Sequence, residues 1–232
     1  MKNSPLILAV DTDDLDVALK WVDATAEFIG TYKLGLEFFL ACGLDGVKAV
    51  RERADRDIFL DLKLHDIPNT VAGAVRSVRN VAPRFLTVHA SGGSAMIEAA
   101  VAQAERIEIT AVTVLTSLSQ EDARAIGFSQ SIDMLAPHLA RLACDAGAKA
   151  IVSSPMEISA IRAAIGSRAH IITPGVRLQA GGDDQKRVMS PRDAIEAGAD
   201  FLVIGRPITS KWSEGARSMT YAAEEIALSL HS

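Results

Sequence analysis

The stretch FLDLKLHDIPNT, residues 59–70, reads as the end of one β-strand followed by the beginning of a helix. Side chains alternate along a strand, so Asp61, Lys63 and His65 are predicted to share one face and the intervening leucines the other. Pro68 suits the first turn of a helix, where its missing N–H leaves no hydrogen bond unmade. The stretch therefore predicts one strand–helix unit with charged groups at the carboxyl end of the strand.

The same unit recurs along the whole chain. Short runs rich in Val, Ile and Leu alternate with amphipathic stretches, which is typical of a parallel sheet covered by helices. The candidate strands are Leu6–Val10, Thr31–Leu34, Ile58–Leu62, Phe85–Val88, Ile109–Leu115, Ala150–Val152, Ile171–Thr173 and Phe201–Ile204. Eight strand–helix units predict an α/β protein with the (β/α)₈ TIM-barrel fold. No linker-like composition divides residues 1–232, so a single catalytic domain is expected.

The composition excludes several classes of protein. Aromatic residues make up 5% of the chain and hydrophobic residues 49%, so the core should be aliphatic. A net charge of −5 argues against a nucleic-acid partner, because such proteins present a basic surface. The first apolar run is too short for a signal sequence or a membrane span, so we expect a cytoplasmic protein. Cys42 and Cys144 are expected to be small buried helix residues, with no disulfide or metal.

Helix boundaries and long connections are also predicted. Asp13 is expected to be the N-cap of the first helix, with Asp16 as its partner at the third position. The connections 117–130 and 177–187 are long for a compact barrel. Both follow strands, so we expect them to be lids or binding loops on the catalytic face.

The charges at the strand ends favour catalysis over structure. Lys33 ends the second strand, and adjacent strands bring their ends within a few ångström, so it should lie near Asp61. Asp66 follows Lys63 at the end of the third strand. A structural ion pair is one explanation, since buried charges must be paired. The favoured explanation is a lysine flanked by carboxylates that stabilises and protonates a carbanion. His65 is expected to be structural.

The ends of the seventh and eighth strands predict a phosphate site. The segments TPGVR, ending at Arg177, and VIGR, containing Gly205 and Arg206, fall where barrels often bind phosphate. A glycine lets the backbone approach an anion, and an arginine adds a forked, charged contact. The glycine-rich residues 180–187 are expected to cover that site as a lid.

Polar residues at two further strand ends extend the predicted site. Asp11 ends the first strand and could bind a sugar hydroxyl or cap the next helix, although Asp13 suits the cap better. Thr116 and Ser117 are predicted to end the fifth strand, where their hydroxyls would complete a polar ring.

Six motifs, in order along the chain, resemble the orotidine 5′-phosphate decarboxylase family. They are AVD (9–11), YKLG (32–35), FLDLKLHDIPNT (59–70), TVLTS (113–117), PGVR (174–177) and VIGRPI (203–208). The resemblance implies decarboxylation of orotidine 5′-monophosphate to UMP and CO₂ in pyrimidine biosynthesis. It also implies a homodimer, with no metal and no cofactor.

The resemblance implies a role for each matching residue. Four would form a catalytic array that stabilises and protonates a carbanion at C6: Lys33, Asp61, Lys63 and Asp66. Asp66 and Thr70 would enter the active site of the partner subunit. The remaining substrate-binding residues would be Asp11 for the ribose, Thr116 and Ser117 for the pyrimidine, and Arg177, Gln185, Gly205 and Arg206 for the phosphate.

Two alternatives remain. Metal-dependent decarboxylases and aldolases of ketose phosphates are similar at Asp61, Lys63 and Asp66, but carry a carboxylate for Mg²⁺ where this chain has Lys33. A non-catalytic barrel that senses a phosphorylated metabolite would be expected to have lost the charged array, which is intact here.

Overall fold

A computed structural model describes residues 4–176 and 189–230 of the chain. Its eight parallel strands form a closed barrel in sequence order, because β1 pairs with both β2 and β8. The strands are β1 (Leu6–Ala9), β2 (Thr31–Gly35), β3 (Asp57–Leu64), β4 (Phe85–His89), β5 (Glu108–Val112), β6 (Ala150–Val152), β7 (His170–Pro174) and β8 (Phe201–Ile204). The predicted α/β class and (β/α)₈ TIM barrel are confirmed.

Helices cover the outside of this barrel. They are α1 (Leu15–Thr25), α2 (Leu36–Ala54), α3 (Pro68–Ser77), α4 (Ser94–Ala102), α5 (Gln120–Ala125), α6 (Ile132–Asp145), α7 (Ile158–Ile165), α8 (Pro191–Glu196), α9 (Arg206–Thr209) and α10 (Ala216–Leu228). Pro68 opens α3, as predicted. The connection 117–130 contains α5, whose start is stabilised by a reciprocal capping box between Ser119 and Asp122. No helix in the described part of the chain is long and apolar enough to cross a bilayer.

The core has two layers that follow the alternation of side chains along the strands. The barrel interior is filled by a small cluster: Ile7, Ala9, Phe59, Phe85, Ala150, Ile172 and Val203. The larger layer lies between sheet and helices, and it contains Leu60 with Leu62 and Leu64 packed against it. The leucines of β3 therefore face the helices, as predicted. Consequently Phe59, and two residues later Asp61, point into the barrel.

Several predicted boundaries differ from the observed ones by one to three residues, and two of them affect residues predicted for the site or for a helix cap. Asp14, not Asp13, is the N-cap of α1, where its Oδ1 accepts a hydrogen bond from the N–H of Val17 (3.1 Å). Both aspartates are good caps, so composition does not separate them. The N–H of Asp14 donates to Thr12 Oγ1 (3.2 Å), and this local bond holds Asp13 outside the helix. Asp16 consequently lies within the first turn.

Strand β5 ends at Val112 rather than at the predicted Leu115. Both neighbours of β5 end directly opposite Val112, β4 at His89 and β6 at Val152, so no strand remains with which β5 could continue to pair. Thr116 and Ser117 therefore lie beyond the strand, in the connection to α5. A strand end depends on the length of its neighbour, which the pattern of a single segment does not contain.

Arginines stabilise the face of the barrel where the strands begin. A cavity of 630 Å³ on this face is lined by several arginine side chains. Arg56 donates to the carbonyl of Ala26 at the end of α1 (2.9 Å), and Arg79 to that of Gln103 at the end of α4 (2.6 Å). Carbonyls at helix C-termini lack partners within the helix and carry partial negative charge, so these guanidinium groups cap them.

Arg162 makes the most extensive of these contacts, and its replacement should be costly. Its guanidinium donates to the carbonyls of Gly166 (2.6 Å), Ala169 (3.2 Å) and Gly198 (2.7 Å) and to the Asp200 carboxylate. Arg162→Lys keeps the charge but cannot make all these bonds. We expect the free energy of unfolding in urea to fall by about 2–3 kcal/mol.

The matched control is Arg141→Lys on α6. Arg141 is exposed and makes no hydrogen bond or ion pair to the part of the chain that the structure describes. Its replacement should change the free energy of unfolding by less than about 0.5 kcal/mol. Equal effects of the two substitutions would contradict a stabilising role for the Arg162 contacts.

Candidate active site

The carboxyl ends of β2 and β3 bring two lysines onto one carboxylate. Asp61, on β3, is 9% exposed. Lys63 Nζ lies 2.8 Å from both Oδ1 and Oδ2 of Asp61, and Lys33 Nζ lies 3.6 Å from Oδ2. Lys33 reaches Asp61 because β2 and β3 pair in register, with Gly35 opposite Asp61. Three of the four residues predicted to form the charged array are therefore in contact.

Asp11 extends this row at its other end. Lys33 Nζ donates to Asp11 Oδ1 over 3.2 Å, and the side chain of Asp11 remains 60% exposed. The charges thus alternate along the strand ends in the order Asp11, Lys33, Asp61, Lys63. Because Asp14 caps α1, the carboxylate of Asp11 is left to face the mouth of the barrel.

Asp66 and Thr70 are not part of this row. Asp66 is exposed, and its Oδ1 accepts a hydrogen bond from the N–H of Ile67 (2.6 Å). No ion pair joins Asp66 to a lysine among the described residues. Thr70 is exposed in the first turn of α3. Both side chains are open to a second molecule.

The two lysines keep Asp61 ionised. Burial acts to raise the pKa of the Asp61 carboxyl group, but the charges of Lys33 and Lys63 oppose this effect and prevail. Hydrogen bonds from Lys63 and Thr87 act in the same direction as the charges. The pKa of Asp61 consequently lies below its ordinary value of 3.8, and the group is a carboxylate at neutral pH.

Two histidines stand beside the array. The rings of His65 and His89 lie with their centroids 5.2 Å apart. Burial lowers the pKa of His89 below its ordinary value of 6.5, and the nearby His65 and Lys63 lower it further. His89 is therefore neutral at pH 7 and adds no positive charge to the array.

Thr87 is a site residue that sequence reasoning missed. It lies on β4 and is fully buried, and its hydroxyl donates to Asp61 Oδ1 (3.0 Å). A signal was present, because Phe85 and Thr87 share the inward face of β4 and a hydroxyl in that apolar position needs a polar partner.

The predicted phosphate end borders the same opening as the charged row. A cavity of 520 Å³ is lined by Ala9, Asp11, Lys33, Pro174, Gly175, Val176, Val203, Gly205, Arg206 and Pro207. Gly205 immediately precedes α9, and a Cβ at this position would lie 3.5 Å from the Ala9 side chain. Arg206 is exposed and forms no ion pair within the described ranges. One cavity therefore contains both part of the charged row, at Asp11 and Lys33, and the predicted phosphate site, at Gly205 and Arg206.

The structure describes only some of the other residues predicted to contact the substrate. Thr116 and Ser117 are exposed in a turn closed by a hydrogen bond from the N–H of Leu118 to the carbonyl of Leu115 (2.9 Å). Arg177, Gln185 and the whole predicted lid, 177–187, lie outside the described residues. Within the described residues, no group of three or more His, Cys, Asp or Glu side chains could hold a metal ion.

This arrangement suits the stabilisation of a carbanion. Ammonium groups fixed by buried carboxylates stabilise negative charge that develops beside them, since they need not reorient during the reaction. A lysine ammonium can also transfer its proton to the carbon. The adjoining Gly205 and Arg206 suit an anionic group of the same ligand.

The pKa of Asp61 can be tested directly. We expect the ¹³C signal of its carboxyl carbon to titrate with a midpoint below 3.8. Replacing either lysine, as Lys33→Met or Lys63→Met, should raise that midpoint, because each removes a positive charge that favours the carboxylate. In the wild type, the stability that the ionised group contributes should be complete above the ordinary carboxyl pKa and lost as the pH falls through the lower, folded-state pKa. A midpoint above 3.8 in the wild type would contradict this electrostatic account.

The chain matches known proteins over nearly its whole length. The family model described as orotidine 5′-phosphate decarboxylase / HUMPS family matches residues 4–219. An orotidine 5′-phosphate decarboxylase of Thermobifida fusca is 49% identical over 222 residues, covering 95% of both chains. One of Moorella thermoacetica is 47% identical over 232 residues, covering 94% of this chain and 91% of the relative. The crystal structure of the enzyme from Lactobacillus acidophilus superposes with a TM-score of 0.83 at 30% identity, covering 99% of this chain and 100% of that one. This protein therefore belongs to the orotidine 5′-phosphate decarboxylase / HUMPS family.

Proposed function

We propose that this protein is a carboxy-lyase that converts orotidine 5′-monophosphate into UMP and CO₂. The observation that carries the proposal is the contact of the Lys63 ammonium with both oxygens of the buried Asp61 carboxylate, at 2.8 Å. A cavity lined by Asp11 and Lys33 of the charged row together with Gly205 and Arg206 supports a phosphorylated substrate. The names of the relatives at 49% and 47% identity support the specific nucleotide.

In the proposed mechanism, Lys63 is the group that protonates the product. Breaking the bond between C6 of the pyrimidine and its carboxylate releases CO₂ and leaves the bonding electron pair on C6. The Lys63 ammonium stabilises this charge and then transfers a proton to C6, which gives UMP. Asp61 and Lys33 hold the ammonium in place through the alternating row of charges.

The phosphate end supplies binding energy at a distance from the reacting carbon. In this proposal the backbone at Gly205 and the side chain of Arg206 bind the 5′-phosphate, and Asp11 binds the ribose. Arg177 and Gln185 are proposed as further phosphate contacts, and Thr116 and Ser117 as contacts to the pyrimidine. Binding energy from such remote contacts can orient the reacting part of a substrate against a rigid array.

We also propose a homodimer in which Asp66 and Thr70 enter the active site of the partner subunit. The exposure of both side chains supports this arrangement, as does that of Ile67 between them, which is 66% exposed. A large apolar side chain beside an exposed carboxylate that forms no ion pair within the described residues is well suited to an interface. Asp66 would then extend the partner's row of charges and lie next to Lys63 of the partner subunit.

The metal-dependent alternative is not favoured. Its Mg²⁺ would be bound by a carboxylate at the position of Lys33. The ammonium of Lys33 instead lies 3.6 Å from Asp61, where it would repel a cation. The relatives at high identity also carry the name of the decarboxylase.

The first test follows the absorbance of orotidine 5′-monophosphate with purified protein in EDTA. We expect the wild type to convert it to UMP, and Lys63→Ala to lower kcat by on the order of 10³-fold or more, because both the fixed charge and the proton donor are lost. Lys48→Ala is the control, since the one ion pair of Lys48 with the described part of the chain is a surface pair with Glu52. Wild-type protein that is inactive in EDTA but acts on a ketose phosphate once Mg²⁺ is added would overturn the proposal.

The shared site can be tested by mixing two inactive variants, Lys63→Ala and Asp66→Ala. In a hybrid dimer one of the two sites would combine an intact Lys63 with an intact Asp66 from the other subunit. Random exchange should therefore restore about a quarter of the wild-type activity, since half the dimers are hybrids and half their sites are intact. Native mass spectrometry would verify the exchange. Hybrids that form without any gain in activity would show that Asp66 does not act across the interface.

A further inference from the structure

The hydroxyl of Thr87 joins the two members of the central ion pair. It accepts a hydrogen bond from the backbone N–H of Lys63 (2.8 Å) and donates one to Asp61 Oδ1 (3.0 Å). These directions are the only ones available, because an N–H can only donate and an ionised carboxylate can only accept. Thr87 is 0% exposed, so water does not compete for either bond.

The backbone of β3 is irregular at the point where Thr87 contacts it. The pairing of β3 with β4 shifts between Leu60, which lies opposite Leu86, and Leu64, which lies opposite Val88. Between these two pairs β3 has three residues, 61–63, whereas β4 has one, Thr87. A bulge of this kind leaves ladder groups of the longer strand without a backbone partner and re-aims its side chains. The hydroxyl of Thr87 takes the place of that partner for the N–H of Lys63.

Lys63 also adopts an unfavourable backbone conformation at the bulge. Its φ of 48° lies in the left-handed region, where the Cβ of a residue other than glycine is crowded. Such a conformation persists only where neighbouring groups hold it. The bond from Lys63 N–H to Thr87 is a direct restraint on this residue, and it comes from a neighbouring strand.

We infer that Thr87 is a positioning residue, which holds the Lys63 backbone in its left-handed conformation and orients the Asp61 carboxylate against the Lys63 ammonium. The inference rests on the proposed decarboxylase function and adds a residue to its machinery. Thr87 itself need not touch the substrate. Its buried hydroxyl sets the position of Lys63, the proposed proton donor, relative to Asp61.

The test compares Thr87→Val, which has nearly the same shape without the hydroxyl, with Thr87→Ser, which keeps both hydrogen bonds. Misplacing a catalytic group by about 1 Å can lower the rate by about 10²-fold, so we expect Thr87→Val to lower kcat by about 10- to 100-fold with less than about a 3-fold change in KM. Thr87→Ser should stay within about 3-fold of the wild type in both constants. The titration midpoint of Asp61 should rise in the valine variant alone, because only that variant lacks the donor.

Thr110→Val is the matched control for burying a valine in place of a threonine. Thr110 is also fully buried in the sheet, but among the described residues its hydroxyl donates to the carbonyl of Glu108 alone (3.0 Å). A purely structural role for Thr87 would lower stability in both valine variants and leave kcat per folded molecule and the titration of Asp61 unchanged. That outcome would overturn the inference.

Failure of the decarboxylase proposal would be recognised separately, because the wild type itself would then be inactive on orotidine 5′-monophosphate. If Thr87→Val is recovered unfolded, Thr87→Cys is tested in its place. Cysteine differs from serine mainly in its thiol, which is slightly larger than a hydroxyl and forms only weak hydrogen bonds. A cysteine variant with the kcat of the serine variant would overturn the inference. A loss of about 10-fold or more relative to serine would support it.

Discussion

A buried carboxylate flanked by two ammonium groups is the interaction on which the organisation of this site depends. Asp61 lies in a barrel interior filled mainly by apolar side chains, where an unpaired charge would be very unfavourable. Lys33 and Lys63 balance it from β2 and β3, and Thr87 adds a hydrogen bond from β4. Three successive strands must therefore keep their register for Asp61 to remain ionised. The requirement couples the stability of the barrel mouth to the chemistry proposed for it.

The two faces of the barrel use charge differently. At the face where the strands begin, arginines such as Arg56, Arg79 and Arg162 bind carbonyls, so their charges are used to cap backbone groups. At the opposite face, Lys33 and Lys63 meet carboxylates in a row that is partly open to the cavity. The arginine contacts to carbonyls stabilise helix ends, whereas the row of lysines and carboxylates lies at the carboxyl ends of the strands, where barrels of this fold place their active sites.

The bulge in β3 connects the fold to the proposed mechanism. A regular strand would continue the ladder past Leu60, and the backbone groups of β3 that face β4 would all have partners there. The chain instead places Lys63 in a left-handed conformation and supports it with the side chain of Thr87. A strained backbone conformation of this kind persists where neighbouring groups hold it. In this protein the strained conformation aligns the Lys63 ammonium with Asp61.

The sequence by itself determined the barrel, the leucine face of β3 and the charged strand ends, because these depend on patterns within single segments: the alternation of side chains, apolar runs and the position of Pro68. It also pointed to the meeting of Lys33 with Asp61, since parallel neighbours align their ends. Only the tertiary structure decided the N-cap at Asp14, the early end of β5, the pairing of Asp11 with Lys33 and the role of Thr87. Each of these depends on what a neighbouring segment offers, namely the length of β6, the register of β1 against β2, or a hydroxyl on β4. Such contacts between segments are formed when the chain folds, and no local pattern contains them.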